Sequence, residues 1–141
     1  MKNSKTNRTL YWVFTIWVAL GMLAEGLQQI FHAKSFVNIF AHLGYPIYSS
    51  VLFGTWKILG VIAILVPGYR LLKEWAYAGF FFVMTGAMYS HIVMGDSILQ
   101  IAPSFGVLVL VILSWYFRPA DRRLVSFGQK DHFRQSINQL A

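Results

Sequence analysis

The chain has 141 residues, of which 57% are hydrophobic and only 12% are charged. A soluble domain carries about 25% charged residues, so this composition excludes an ordinary soluble protein and favours a one-domain membrane protein. Because cysteine is absent, disulfides, thiolate metal sites and cysteine-ligated iron–sulfur clusters are excluded. The net charge of +7 would suit nucleic acid, but its distribution along the chain indicates a membrane surface with anionic lipids instead.

Four segments supply the roughly 20 mostly apolar residues that a helix needs to cross a bilayer. They cover residues 10–30, 48–66, 75–94 and 98–117. The first resembles a signal peptide, but its bulky aromatic residues and the three later segments favour a retained helix. Backbone groups must be paired within lipid, so we predict an all-α protein with a four-transmembrane-helix bundle over 1–118. Residues 119–141 form a basic tail.

The positive charges predict the orientation of this bundle. Ten of the twelve Lys and Arg residues fall on one side of the two helical hairpins, whereas Lys34 falls on the other side and Lys57 lies within the second span. The positive-inside rule therefore places both termini in the cytoplasm, in a multi-pass protein of the cell (inner) membrane. In the tail, Phe133, Ile137 and Leu140 have helical spacing, which fits either a helix lying on the inner leaflet or a solvated segment.

Lys57 is the residue that the span composition does not explain. At about 1.5 Å per residue, Lys57 lies roughly 14 Å from the outer end of its helix. On their own helices, Glu25 lies roughly 8 Å and His91 roughly 5 Å from the outer end. A lone ammonium at that depth costs several kcal/mol, and Glu25 is the only carboxylate within the spans. We therefore predict a Glu25–Lys57 pair in a polar pocket. Two alternatives are a pair that only fixes helix register and a Lys57 that reaches along its helix to water.

Other polar residues are predicted to join this pocket. Glu25, Gln28, Gln29 and His32 follow an i, i+3, i+4, i+7 pattern, which predicts one inward face of the first helix. Ser90 and His91 are at a similar height on the third span, next to the small residues Gly86 and Ala87. We assign the chemistry to Lys57, Glu25 and His91 and the pocket lining to Gln28, His32, Trp56 and Ser90. A satisfied packing histidine is the alternative role for His91.

Three further assignments follow from local pattern. Asp96 is expected to cap the fourth span, and Lys73 and Glu74 are expected to anchor the inner end of the third. His32 and His91 could in principle hold haem or a metal, but their spacing matches no known ligand pattern. We predict no metal site, and the sequence identifies no cofactor.

Several short stretches resemble the DoxX-like family of small four-helix membrane proteins. They are Leu43-Gly-Tyr-Pro46, Trp56-Lys57, Gly60, Pro67, KEWAYAGFFF at 73–82, Gly86-Ala87, Ser90-His91 and Gly95-Asp96. The resemblance covers about 11–118 and implies a four-helix bundle. The wider family is named for a subunit of quinone-linked oxidoreductases, so the resemblance also implies a link to membrane redox chemistry. It includes Lys57, Ser90, His91 and Asp96, whereas the role of Glu25 rests on spacing.

Three functions remain open at this point. The first is a pocket for a small lipophilic, quinone-like ligand, used in redox chemistry or by a small membrane enzyme, where Lys57, Glu25 and His91 bind a carbonyl or pass protons. The second is a non-catalytic subunit or scaffold for a partner complex. The third is a small-solute transporter, disfavoured by the absence of a repeat or a broken helix. The expected partners are the bilayer, a lipophilic molecule, and either another membrane protein or a second copy, but not nucleic acid.

Overall fold

The computed structural model describes residues 4–124. They form five helices, α1 (Ser4–Ile30), α2 (Lys34–His42), α3 (Tyr48–Leu65), α4 (Arg70–Val93) and α5 (Ile98–Tyr116), followed by a short 3₁₀ turn at Ala120–Arg122. This described part contains no strand, so the predicted all-α class is confirmed. The patterns seen at Phe133, Ile137 and Leu140 lie outside the described residues.

Four of these helices, α1, α3, α4 and α5, are long and apolar enough to cross a membrane. They agree with the four predicted spans, but α1 and α4 begin several residues earlier than the apolar stretches do. A helix can continue past the hydrocarbon because its backbone stays paired while polar side chains reach water. The predicted spans left residues 31–47 as a connection without a helix, and the structure corrects this, because α2 lies within that stretch.

The four long helices form a closed ring in the order α1, α3, α4, α5, in which each contacts its two neighbours. The α3–α4 seam is the least extensive of the four contacts. Apolar side chains from every long helix fill the centre, including Val18, Met22, Ile64, Phe80 and Val111. The short helix α2 packs on α1 and α3 at one end of the ring. We call this the α2 end, and the opposite end, where α3 turns into α4, the tail end.

Polar contacts hold the tail end together. Lys73 is fully buried, and its ammonium donates hydrogen bonds to the backbone carbonyls of Ala63 (2.8 Å) and Val66 at the end of α3. Arg118 and Glu74 form an ion pair at 2.6 Å. Cations at a helix C-terminus satisfy its free carbonyls and complement its dipole. Lys73 and Glu74 thus join the tail ends of α3, α4 and α5, as expected of anchoring residues.

Candidate functional site

Glu25 of α1 and Lys57 of α3 form an ion pair across the helix interface. The Lys57 ammonium donates to the Glu25 carboxylate at 2.7 Å, and its side chain is only 4% exposed, whereas that of Glu25 is 30% exposed. The predicted pairing is therefore present. Lysine has three N–H donors, and among residues 4–124 only Glu25 accepts one of them. Lys57 thus keeps unused donor capacity in the interior of the bundle.

A backbone contact between two glycines brings these side chains within reach. Gly26 of α1 and Gly54 of α3 approach so closely that a Cβ on Gly54 would lie 2.6 Å from the carbonyl oxygen of Gly26. Only a residue without a side chain allows helices to approach at this distance. Because Gly26 follows Glu25 and Gly54 precedes Lys57 by one turn, this crossing sets the separation of the paired charges.

The pair faces a cavity of about 740 Å³ at the α2 end of the bundle. All five helices contribute to its wall, and six aromatic side chains line it: Phe36, Phe40, Tyr45, Phe53, Trp56 and Phe82. Trp56 and Phe82 are also largely exposed, so the cavity reaches the flank of the bundle between α3 and α4. A mostly apolar wall with a few convergent polar groups is typical of small-molecule sites.

Gln29 provides an unsatisfied polar group in this wall. Its side chain is 4% exposed and lines the cavity, one turn from Glu25. Its amide oxygen is buried and accepts no hydrogen bond from any described residue. A buried acceptor without a donor costs about 1–3 kcal/mol. Because this oxygen is itself buried, the amide must rotate before it can accept from a hydroxyl or N–H group of a molecule in the cavity.

His91 lines the same cavity from α4 and is held by Asp96. The two groups are 2.6 Å apart, between His91 Nδ1 and one oxygen of Asp96, and the second oxygen is 2.7 Å from Nε2 of His42. The hydrogen bond from His91, and to a smaller extent the one from His42, holds the pKa of the Asp96 carboxyl below its usual value. The ionised carboxylate accepts from both rings, which fixes the proton of His91 on Nδ1. Its Nε2 forms no hydrogen bond with any residue of 4–124.

The arrangement around Asp96 corrects the expectation that it caps α5. The N-cap is Ser97, whose backbone N–H donates to the side chain of Gln100 at 2.9 Å. Asp96 instead joins α2, through His42, to the end of α4. A hydrogen bond of 2.8 Å between Tyr45 and Ser90 makes a second link between the α2–α3 loop and α4.

The structure separates the residues predicted to line the pocket. Trp56 lines it, whereas Ser90 does not line it and is hydrogen-bonded to Tyr45, which does. Gln28 and His32 do not line it and are exposed. Successive helical residues rotate by about 100°, so Gln28 cannot share the inward direction of Gln29. His32 lies beyond the end of α1 with a positive φ of 51°, so helical periodicity no longer applies there.

These features define a small integral membrane protein with four long apolar helices and, near one end, a mostly apolar cavity that contains a few polar groups. The chain belongs to the DoxX-like family, whose model matches residues 13–114. Glu25, Lys57, His91 and Asp96 all lie within the matched range. No curated protein and no solved structure was found to match the chain.

Proposed function

We propose that this protein binds a small lipophilic molecule with a carbonyl or hydroxyl head group, of the quinone type, in the cavity at the α2 end. The observation that carries this proposal is the buried Lys57 ammonium, which has one partner among the described residues and faces a cavity. Intramembrane charges are costly and commonly mark ligand or proton pathways. A purely structural pair would be expected to have protein atoms packed around it.

The character of the wall supports a lipophilic ligand. Aromatic side chains from α2, α3 and α4 surround the polar groups, and the exposed Trp56 and Phe82 lie where the cavity reaches the bundle flank. A molecule dissolved in the bilayer could enter there without crossing an aqueous phase. A hydrophilic solute would have to leave water to reach the same position.

The polar groups suit binding and protonation of an oxygen atom. Lys57 donates a hydrogen bond to a carbonyl or hydroxyl oxygen, while Glu25 and Gln29 accept from a hydroxyl. His91, oriented by Asp96 through Nδ1, exchanges a proton through Nε2. Proton transfer by a positioned side chain is what a carbonyl isomerisation requires. Reduction of a quinone-type head group takes two protons, which these side chains could deliver, and two electrons, which a separate redox partner protein would supply. We therefore assign the protein to membrane redox chemistry or to a small membrane enzyme.

We also infer which membrane contains the protein and how the protein is oriented in it. The basic residues concentrate at the tail end and in the N-terminal segment, which supports a cytoplasmic location for both termini in the inner membrane. The cavity then lies in the outer half of the bilayer. Labelling of the exposed variants Lys5→Cys and Ser35→Cys with a membrane-impermeant thiol reagent in intact cells tests this: we expect labelling of Ser35→Cys alone.

Native mass spectrometry of the protein purified in mild detergent tests ligand binding. We expect a bound lipophilic molecule that is lost in Lys57→Met. The matched control is Lys34→Met, because Lys34 is exposed at the same end but does not line the cavity, and this variant should retain the molecule. Equal occupancy in both variants, or none in the wild type, contradicts the proposal. A co-purifying protein that persists in Lys57→Met, with no small molecule, would support the scaffold role instead.

A further inference from the structure

A second recess continues from the cavity along the seam between α3 and α4. It has a volume of about 420 Å³ and shares three lining residues with the cavity, Trp56, Lys57 and Val83. The two spaces therefore meet beside the ion pair. We call this recess the α3–α4 groove.

The α3–α4 groove is apolar and shaped by small residues. On α4 its wall extends from Leu72 to Val83, which is about 16 Å along a helix at 1.5 Å per residue. Its lining includes four small residues, Gly60 and Ala63 of α3 with Ala76 and Gly79 of α4. A Cβ on Gly79 would meet no atom within 4 Å. Among the lining residues only Lys57 is charged, and it lies at the end that joins the cavity.

The position of Lys57 limits the kind of molecule that fits both spaces. Lys57 lies midway along α3, about 14 Å from the α2 end, and the groove leads from there towards the tail end. A phospholipid keeps its charged head group at the membrane surface, so it would not place that head beside Lys57. A molecule with a small uncharged head and one linear tail could bind its head at Lys57 and lay its tail in the groove.

We infer that the ligand is a single-chain amphiphile whose apolar tail occupies the α3–α4 groove while its head meets Glu25, Lys57 and Gln29. This inference rests on the proposed function and adds the shape and direction of the ligand. The continuity of the groove with the polar cavity favours the tail of one ligand over an unrelated lipid chain. The groove length is similar to that of an extended dodecyl chain.

Photo-crosslinking with two forms of dodecyl hydroquinone tests this in the full-length protein in lipid nanodiscs. One form carries a diazirine at the end of the chain, and the other carries an azide on the ring. We expect the chain-end probe to label residues 72–79 of α4 and the ring probe to label residues of the cavity wall. Unlabelled dodecyl hydroquinone should compete with both, and Lys57→Met should lose both.

A matched pair of glycine variants tests the groove itself. Gly79→Leu fills the groove, whereas Gly106 is also an exposed helical glycine with open space around it but lines neither recess. In Gly79→Leu the ratio of chain-end to ring labelling should fall roughly tenfold, equivalent to about 1.4 kcal/mol, and in Gly106→Leu it should not change. Ala76→Leu is a second blocking variant, in case Gly79→Leu fails to fold.

The outcomes separate the two proposals. Competed ring labelling with chain-end labelling on α1 or α5 would overturn the tail assignment and leave the cavity site in place. Chain-end labelling of α4 that persists in Lys57→Met would show that the groove binds chains independently, which also overturns it. If unlabelled competitor protects neither position, the proposed function itself fails.

Discussion

Removal of each partner of the Glu25–Lys57 pair should have unequal effects on stability. Glu25→Met leaves the Lys57 ammonium, whose side chain is 4% exposed, without its partner. Loss of one partner from a buried pair costs about 3–5 kcal/mol. Lys57→Met leaves Glu25, which is 30% exposed and open to the cavity, so hydration limits the loss to about 1–3 kcal/mol. Two methionines restore an apolar contact, so the double variant should be no less stable than Lys57→Met.

A double-mutant cycle measures this asymmetry. The free energy of unfolding is obtained for the wild type, both single variants and the double variant in mixed detergent micelles. Because the double variant should be no less stable than Lys57→Met, the coupling energy should be at least as large as the loss in Glu25→Met, about 3–5 kcal/mol. Gln28→Met is the control, because Gln28 is an exposed polar residue on the same helix, and it should change stability by less than about 0.5 kcal/mol. Additive effects of the two single substitutions would refute the ion pair.

Three more predictions concern the surrounding residues. Gly54→Ala places a methyl group 2.6 Å from the Gly26 carbonyl oxygen and should destabilise the fold by about 1–3 kcal/mol, whereas Gly106→Ala, in open space, should be neutral or stabilising in the same unfolding assay. Gly86 lines the cavity, and a Cβ added there would meet no atom within 4 Å. Gly86→Phe should therefore displace the ligand in native mass spectra without loss of stability. A folded Gly86→Phe protein with full ligand occupancy would contradict the location of the site. The pKa of the Asp96 carboxyl is below its usual value, so its contribution to the stability of the fold is complete above about pH 4 and is lost as pH falls through the lowered pKa. Asp96→Asn should therefore flatten this part of the curve of thermal stability against pH. An unchanged curve would contradict the role given to the hydrogen bonds of Asp96.

The spans and the ion pair could be predicted from sequence because both depend on the solvent around the chain. Long apolar segments have few structures available in lipid, and a deep ammonium needs a carboxylate, of which the spans contain one. Helix α2 was missed because nine residues are too short for a span, and its position depends on contacts with α1 and α3.

The site residues that were placed wrongly, such as Gln28 and Asp96, were predicted from the local spacing of residues. That spacing does not show how each helix is rotated about its axis. The i, i+3, i+4, i+7 pattern covers a wide arc, so it could not show that Gln29 faces the cavity and Gln28 does not. Asp96 follows a helix and precedes another, which is typical of a cap, but its partners are His42 and His91, the first of them from a distant part of the chain. The Gly26–Gly54 contact likewise becomes visible only when two helices are placed together.

The central claim is that the Glu25–Lys57 pair and the cavity beside it form a binding site for a lipophilic molecule. An experimental structure of the protein, purified without added ligand and kept in lipid, tests it most directly. We predict non-protein density within hydrogen-bonding distance of the Lys57 ammonium, extending towards the α3–α4 groove. A cavity filled by repacked side chains, with Lys57 turned outward to lipid and apart from Glu25, would contradict the claim.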